Sequence, residues 1–349
     1  MDTPAFTENI FAWYFENKRN LPWRETSDPY KIWLSEIILQ QTRIQQGLPY
    51  YNKFVEKFPS IFNLAKASEQ EVLRTWQGLG YYSRARNLLK CANEVVSRFN
   101  GIFPNNYNEL LKLPGIGPYT AAAIASIAFN EKVPAIDGNV YRILSRLFNI
   151  SLDISSGKGK KAFQEIAESI MPENDPGIFN QALMEFGAIQ CIPQNPSCVT
   201  CCFHTYCLAR INGLQGVRPV KLNKPKKTIR NFHYFVYRYE DRIYMNKRSE
   251  GDIWQGLYDF HLVESNNNMV QEPAGWAYDR KQHTVNMVDI THKLTHQTIL
   301  ARFYAINLNN KQDYRKIIRL GPGKFYSIDE MINLPKPVLI EKFLKANIF

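Results

Sequence analysis

The chain has 349 residues, 45% of them hydrophobic and 13% aromatic, so it is long and apolar enough for two folded domains. No run approaches the ~18 apolar residues of a membrane helix, and the start, MDTPAFTENIF, has no signal-peptide pattern, so we expect a cytoplasmic protein with no membrane partner. The formal charge of +11 at pH 7 favours nucleic acid as the partner, with a solvated basic surface as the alternative.

Residues 1–210 carry apolar side chains mostly at the spacing of one helix face. Pro- and Gly-rich segments such as LPGIGP and MPENDPG interrupt this pattern. The first two thirds of the chain is therefore predicted to be all-α, with helices over 6–18, 29–46, 69–77, 83–99, 119–129, 139–148, 159–171 and 177–189.

One carboxylate, Glu36, stands in the apolar helical segment WLSEIILQQT at 33–42. An ionised Glu is costly in an apolar setting. It is therefore paired, turned outward, or kept protonated because a reaction needs an acid.

Two glycine-containing turns are candidates for contact with DNA. The turn GLGYYSRA at 78–85 has two adjacent tyrosines, which either stack on bases or pack in a core. In LPGIGPYTAAAIASIAF at 113–129, Gly115 and Gly117 permit a tight turn and leave backbone N–H groups exposed at a helix start. Such a turn alone is usually an ordinary connection, but with the basic charge it favours a helix-hairpin-helix that grips a DNA phosphate.

Asp137 follows a short apolar stretch in VPAIDGNVYRIL and stands at a predicted helix start. Its default role there is to cap the helix, which requires no catalysis. A catalytic role depends on whether Glu36 faces it across the same pocket.

Five of the six cysteines fall within 191–207, which favours a metal site over a disulfide framework. Zinc is an alternative metal, although zinc sites usually have two close Cys pairs and only one CxxC is present. Cys202 is the extra thiol, either packed or exchangeable as a ligand, and Cys91 is predicted to lie in the core. The proposed ligands, separated by six, two and five residues, are Cys191, Cys198, Cys201 and Cys207.

A basic linker is predicted over 209–230, which either is solvated or touches phosphates. Beyond it the apolar period changes to two, in FHYFVYRY, IYMNKR and ILARFYAINL, and PVLIEKFLKANIF closes the chain as a helix. Residues 231–349 are therefore predicted to form an α+β domain of antiparallel strands, with a loop at the asparagines 266–268.

Together, the hairpin turn, the Asp after it and the C-x6-C-x2-C-x5-C tail resemble the endonuclease III superfamily of DNA glycosylases. The segments LPWR, WLSEIILQQT, GLGYYSRARNL and IDGNV are similar to the adenine DNA glycosylases of the MutY family. This resemblance implies an all-α helix-hairpin-helix core with a [4Fe-4S] cluster on the four cysteines. It also implies a six-helix subdomain at about 25–130 and an iron-sulfur subdomain made from 1–24 and 131–208.

The resemblance also implies catalytic roles. Glu36 would protonate adenine at N7, and Asp137 would stay ionised and stabilise or bond to the oxocarbenium-like sugar. Strand-cleaving relatives carry a Lys nucleophile where this chain has Tyr119, so a monofunctional glycosylase is expected. Asn139 would lie near the catalytic water and Arg24 near the base pocket.

The same family positions predict DNA contacts at Gln41, Thr42, Leu79 and Tyr81. The carboxy-terminal domain resembles the MutT/Nudix-like domain that reads 8-oxoguanine, but it lacks the REXXEE-type cluster of a pyrophosphohydrolase. Leu294, Thr295 and His296 match the family's Phe-Ser-His loop, with Leu in place of the aromatic residue; ordinary turn residues are the alternative.

We therefore expect a bacterial, monomeric base-excision-repair enzyme that removes adenine opposite 8-oxoguanine or guanine in double-stranded DNA. One alternative is an endonuclease III-like glycosylase/lyase for oxidised pyrimidines. The other is a non-catalytic iron-sulfur protein that binds mispairs.

Overall fold

The structure is a computed structural model that describes residues 3–222, 227–265 and 285–347. Its contacts divide the chain into two compact units. The amino-terminal unit comprises Met1–Lys66 and Lys90–Lys224, and the carboxy-terminal unit comprises Ala67–Leu89 and Pro225–Phe349. Within the described residues, none of the helices has the length and apolar character needed to cross a membrane.

Nine of the first twelve helices overlap the eight helical segments predicted from the sequence, whereas the short helices α4, α7 and α12 were not predicted. Helix α6 contains residues of both units, α5 lies in the carboxy-terminal unit, and a short 3-10 turn covers Pro22–Arg24. In chain order they are α1 (Thr3–Asn17), α2 (Pro29–Leu39), α3 (Ile44–Lys57), α4 (Ile61–Ala65), α5 (Glu69–Trp76), α6 (Ser83–Phe99), α7 (Tyr107–Leu110), α8 (Pro118–Phe129), α9 (Gly138–Leu147), α10 (Gly157–Ile170), α11 (Pro176–Ile189) and α12 (Leu208–Ile211).

A single aromatic-rich core packs α1 against α9, α10 and α11. Phe6 stacks on Phe203 with ring centroids 4.9 Å apart, and Phe186 meets Phe203 edge-on at 5.5 Å. Burying each such side chain contributes about 1.5–3 kcal/mol. Since Phe203 belongs to the cysteine-rich segment, this core also anchors that segment to the helices.

The helix predicted over 29–46 is wrong at one point, because α2 ends at Leu39 and α3 begins at Ile44. Gln41 lies between them with φ 54°, a left-handed backbone conformation that cannot continue a right-handed helix. Apolar spacing did not reveal this break, since the residues on either side keep the helical period.

The predicted helix-hairpin-helix is present as α7, a turn, and α8. Gly115 in this turn has φ 75°, which favours glycine. Gly117 is the N-cap of α8 and provides no side-chain cap, so the first N–H groups of α8 have no capping side chain.

The carboxy-terminal unit is built on a mixed sheet. The β1–β6 pair is parallel, with Phe232 opposite Ala301, whereas the β1–β2, β1–β4, β2–β3, β2–β7 and β5–β6 pairs are antiparallel. The expectation of purely antiparallel strands is thus wrong for one pair, because the period of two does not report strand direction. The strands are β1 (Thr228–Tyr239), β2 (Arg242–Lys247), β3 (Tyr258–Asp259), β4 (His261–Ser265), β5 (Val285–Lys293), β6 (Gln297–Asn307) and β7 (Lys324–Ser327).

The described residues of this unit also include three helices: α13 (Lys311–Ile318), α14 (Ile328–Asn333) and α15 (Val338–Asn347). Phe303 of β6 stacks on Phe343 of α15 with centroids 4.3 Å apart. Alternate residues of the same strand, such as Tyr304, pack into a second cluster on the other face. The loop predicted at 266–268 lies outside the described residues.

Residues 67–89 pack with the carboxy-terminal unit although they lie far from it in sequence. The backbone N–H of Lys336 donates to Gln77 Oε1 at 3.0 Å, and Arg86 donates to the Gln255 carbonyl at 2.8 Å. The turn GLGYYSRA therefore belongs structurally to the unit that carries the sheet.

Candidate active site

A cavity of about 540 Å³ in the amino-terminal unit gathers side chains from five separate segments of the chain. Glu36 comes from α2, Asp137 caps α9, and Tyr119 stands in the first turn of α8. Further residues lining it are Arg19, Arg24, Thr42, Asn139, Gln181, Met184 and Glu185. The structure therefore brings together the two carboxylates that the sequence placed about a hundred positions apart.

Glu36 is 9% exposed, and burial raises the pKa of its carboxyl to about 7. A hydrogen bond with Tyr119 and the charge of Arg24 lower this pKa, whereas the charge of Asp137 raises it. The carboxyl is therefore a proton donor suited to neutral pH.

Asp137 is both a helix cap and a member of the cavity wall. Its Oδ1 accepts from the backbone N–H groups of Asn139 and Val140, each at 2.9 Å, and its Oδ2 accepts from Asn139 Nδ2 at 2.7 Å. Burial raises the pKa of Asp137, while these hydrogen bonds and the charge of Arg142 oppose the rise. Asp137 thus caps α9 and lines the cavity at the same time.

The Tyr119 hydroxyl lies 2.9 Å from Met184 Sδ and also interacts with Glu36. Burial and the nearby charges of Glu36 and Asp137 raise the pKa of Tyr119 well above its usual range. The phenol is therefore neutral and acts as a hydrogen-bond donor inside the cavity.

An ion triad that sequence reasoning missed forms another wall. Glu185 is 1% exposed and accepts from Arg19 Nε at 2.7 Å and from Arg24 Nη2 at 2.7 Å. Burial raises the pKa of Glu185, but the hydrogen bonds from Arg19 and Arg24 outweigh it and bring the pKa to about 2. The sequence carries the same signal for Glu185 as for Glu36, namely a single carboxylate within an apolar helical segment, which is LMEFGA for Glu185.

Arg142, also missed, connects the wall of this cavity to the cysteine-rich segment. It is 9% exposed and donates from Nε to the Cys191 carbonyl at 2.7 Å and from Nη2 to Asn139 Oδ1 at 2.7 Å. Because Asn139 in turn donates to Asp137, a continuous hydrogen-bonded path leads from Cys191 to the carboxylate.

The four predicted metal ligands line one small cavity next to α9 and α11, and Cys202 is not among its lining residues. Arg146 places a cation there, donating to Cys191 Sγ at 3.3 Å. In the described part of the chain, no three His, Cys, Asp or Glu side chains form a group arranged to hold a metal ion. The thiols therefore share a cavity without being drawn together around a common centre.

The other predicted DNA-contact residues are not among the residues that line the cavity of Glu36. Gln41 is exposed between α2 and α3, Gly115 and Gly117 are exposed in the hairpin, and Leu79 is only 6% exposed. Tyr81 has φ 48° and its hydroxyl is hydrogen-bonded to that of Thr295. A second cavity of about 480 Å³, within the carboxy-terminal unit, is lined by Tyr81, Leu294, Thr295 and His296 among others.

Each unit contains a segment that matches a known protein family. Residues 34–171 match the HhH-GPD superfamily of base excision DNA repair proteins, and residues 233–346 match the NUDIX domain. The chain is 34% identical over 357 residues to the adenine DNA glycosylase of Buchnera aphidicola subsp. Acyrthosiphon pisum, covering 99% of each chain. It is 41% identical over 218 residues to the human adenine DNA glycosylase, covering 60% of this chain and 40% of that protein.

Solved structures resemble the helical part. A thermostable thymine-DNA glycosylase matches with TM-score 0.56 and 31% identity, covering 60% of this chain and 97% of that one. A non-covalent endonuclease III–DNA complex matches with TM-score 0.52 and 21% identity, covering 62% and 99%, which shows a common fold.

Proposed function

Because the chain belongs to the adenine DNA glycosylases of the HhH-GPD superfamily, we propose that it excises adenine paired with 8-oxoguanine or guanine in double-stranded DNA. Membership itself makes it a base-excision-repair N-glycosylase. The observation that carries the proposed mechanism is that Glu36, with a pKa of about 7, lines the same cavity as Asp137.

In this mechanism Glu36 donates its proton to N7 of adenine, so that the base leaves as a neutral molecule. Asp137 stays ionised, supported by three hydrogen-bond donors, and stabilises the positive charge that develops on the sugar. Water held near Asn139 adds to the sugar and gives its proton to the Glu36 carboxylate that the first step left, so that an abasic site remains. Positioned acid catalysis of this kind supplies roughly 10²–10⁴-fold.

No lysine stands where strand-cleaving relatives carry their nucleophile, since that position is Tyr119. A neutral, buried phenol is a poor nucleophile, so no Schiff base forms and the DNA strand stays intact. This favours a monofunctional glycosylase over the glycosylase/lyase alternative.

The target base must leave the helix stack, which costs a few kcal/mol. Gln41 and Tyr81 both have left-handed backbone conformations, which cost about 1–3 kcal/mol for such residues and are often found at functional sites. We assign them, with Thr42 and Leu79, to the DNA-probing turns. The exposed N–H groups after Gly117 would bind a backbone phosphate.

The carboxy-terminal unit would read the opposite base. Its Thr295 hydroxyl is exposed and paired with Tyr81, so a hydroxyl and an aromatic ring are presented side by side. Leu294 is partly buried, and as an aliphatic residue it offers no ring for stacking on a base.

We further propose a [4Fe-4S] cluster on Cys191, Cys198, Cys201 and Cys207, because these four thiols, and not Cys202, line one cavity beside a cationic Arg146. When bound, the cluster ties four points of this segment together. Substituting Cys198→Ser should remove most of the iron and the broad visible absorption, whereas Cys202→Ser should retain both. Zinc in the purified protein would contradict the assignment.

The main experiment measures adenine release from duplexes in which adenine faces 8-oxoguanine, guanine or thymine. Glu36→Gln should bind the 8-oxoguanine duplex but release adenine at least a hundredfold more slowly. Equal binding and equal release would remove Glu36 from its role. A borohydride-trapped DNA adduct would instead support the lyase alternative, and binding without any release by the unaltered protein would support the non-catalytic one.

Similarity to bacterial enzymes supports the proposal that the protein works in a bacterial cytoplasm. We also propose that it is a monomer. Sedimentation equilibrium of the free protein tests the monomeric state.

A further inference from the structure

The catalytic cavity is lined by a third arginine in addition to the two that pair with Glu185. Arg19 and Arg24 each donate to Glu185 at 2.7 Å. Arg43 lines the same cavity. Among the residues that the structure describes, none forms a hydrogen bond or an ion pair with the Arg43 guanidinium. Its positive charge is therefore available to a ligand.

Arg43 lies where the cavity opens to solvent. Most residues that line the cavity are buried or half-buried, but Arg43, Gln45 and Ala188 are exposed. The first two lie at the start of α3, just after the left-handed break at Gln41. Glu36, by contrast, is only 9% exposed. A nucleotide whose base reaches Glu36 would therefore keep its backbone near the exposed residues at the opening.

The charge of the lining residues also depends on Arg43. Three arginines and three carboxylates line the cavity, namely Arg19, Arg24, Arg43, Glu36, Asp137 and Glu185. With Glu36 protonated, as below about pH 7, the other two carboxylates are balanced by two arginines, and Arg43 supplies the remaining positive charge. An anion at the opening is therefore attracted because of Arg43.

A base that enters such a cavity stays attached to the DNA backbone. The base and its sugar turn inward, so the two phosphates that flank them stay at the opening. A guanidinium binds a phosphate through two parallel N–H···O bonds, which are shorter and stronger than bonds between neutral groups. Such a contact stabilises the extruded nucleotide and offsets part of the cost of unstacking it.

We propose that Arg43 binds one of the two phosphates that flank the extruded adenosine, and so holds this nucleotide while its base lies in the cavity. This inference rests on the proposed function, because it requires DNA with an extruded adenosine to occupy the cavity. A phosphate contact fixes position and carries no base preference. Arg43 thus differs in role from its neighbours Gln41 and Thr42, which are assigned to probing the base pair.

The test is a binding cycle between Arg43 and the charge of each phosphate. The duplexes carry 2′-fluoro-2′-deoxyadenosine opposite 8-oxoguanine, because the fluorine disfavours the oxocarbenium-like sugar and slows cleavage during binding. One duplex has ordinary phosphates, and two others have a neutral methylphosphonate on the 5′ or the 3′ side of this adenosine. Each is bound by the full chain, either unaltered or as Arg43→Gln.

We expect Arg43→Gln to bind the ordinary duplex about tenfold more weakly, the effect of losing one charged hydrogen-bonded contact. The slope of log K against log salt should become shallower by about one. One of the two methylphosphonates should weaken binding by the unaltered protein by a similar factor, but weaken binding by Arg43→Gln less than about twofold. If both methylphosphonates affected the two proteins equally, Arg43 would contact neither phosphate and the inference would be overturned.

Arg98→Gln is the matched control, because it removes the same charge from the same unit. Arg98 is exposed on α6, pairs with Glu94 and does not line the cavity. This variant should bind within about twofold of the unaltered protein and should keep the full methylphosphonate effect. Equal losses of affinity in both variants, with the methylphosphonate effect unchanged in each, would indicate general attraction by net charge and overturn the inference.

Two further measurements separate this contact from folding and from the chemistry. The thermal midpoint of Arg43→Gln should match that of the unaltered protein, since the Arg43 side chain is exposed and does not cap α3. The pH midpoint of adenine release should stay near 7, since Arg43 is not among the groups that shift the pKa of Glu36. If the unaltered protein bound these duplexes but released no adenine from ordinary ones, the proposed function would fail, while the binding cycle would still decide the role of Arg43.

Discussion

Glu36 shows how burial gives an ordinary carboxyl the pKa that its proposed role as an acid requires. Its carboxyl has a pKa of about 7 chiefly because the ionised form is poorly solvated among apolar neighbours. Asp137 differs because backbone and side-chain donors surround its oxygens. Burial raises the pKa of both carboxylates, but Asp137 has backbone and side-chain hydrogen-bond donors that oppose the rise.

The rate of adenine release should therefore depend on pH with a midpoint near the pKa of Glu36. Release should be maximal below about pH 7 and should fall about tenfold per pH unit above it, because only the protonated carboxyl donates. Single-turnover rates across the pH range measure this. A rate that stays constant up to pH 9, with binding unchanged, would contradict the assignment.

The same group predicts a stability effect. Its folded pKa of about 7 exceeds the ordinary glutamate value of 4.5, so the folded state holds the proton more tightly, and this stabilisation is lost as pH rises from about 4.5 through about 7. Glu36→Gln avoids the burial of a charge, and should be more stable than the unaltered protein at about pH 8 by up to ~3 kcal/mol. Near pH 5 the two should denature alike, as urea titrations at both pH values would show.

Asp137 allows capping to be separated from chemistry. Asn is as good an N-cap as Asp, so Asp137→Asn should change the free energy of unfolding by less than about 1 kcal/mol. It removes the negative charge opposite the sugar, so adenine release should fall by at least a hundredfold. Thermal denaturation and single-turnover kinetics of the same variant distinguish the two roles. If stability and adenine release both fell, loss of the helix cap alone would explain the result, and Asp137 would have no separate role in the chemistry.

Among the elements, the helix-hairpin-helix depends on two glycines for different reasons. Gly115 needs its positive φ of 75°, whereas Gly117 has φ −94° and an added Cβ would meet no atom within 4 Å. Gly115 is therefore needed for its backbone conformation, whereas Gly117 leaves open space for a bound partner.

Gly115→Ala should therefore destabilise the protein by about 1 kcal/mol. Gly117→Ala should leave stability unchanged but weaken binding to any duplex, because its methyl group projects where a phosphate approaches the α8 N-terminus. Denaturation and binding titrations of both variants test this. Equal duplex binding by Gly117→Ala and the unaltered protein would exclude the hairpin as a phosphate site.

At the scale of the whole molecule, the segment 67–89 unites the sheet with the predicted DNA-probing turn. Tyr81 pairs with Thr295, and Gln77 receives a hydrogen bond from Lys336, so removal of the carboxy-terminal residues would remove these two hydrogen bonds.

A chain ending at residue 230 should therefore lose much of its preference for 8-oxoguanine over guanine and become sensitive to proteases within 67–89. Adenine release from the guanine mispair should survive, because the residues of the catalytic cavity belong to the amino-terminal unit. The comparison needs the three duplexes and limited proteolysis. An unchanged preference would mean that the carboxy-terminal unit does not read the opposite base.

The sequence by itself determined most of the helices, the Glu36 and Asp137 candidates, and the cysteine spacing. These features are local, since periodicity, glycine turns and ligand spacing are written in neighbouring residues. Dependence on local patterns also explains the two wrong predictions. The residues on either side of the break at Gln41 keep the helical period, and the period of a strand does not indicate its direction.

Only the tertiary structure decided which side chains share a cavity. The pKa of Glu36, the pairing of Glu185 with two arginines and the position of Arg43 in the cavity wall all depend on partners distant in sequence. Desolvation and hydrogen bonding act over a few ångströms in space, so they are set by packing between elements rather than by position along the chain.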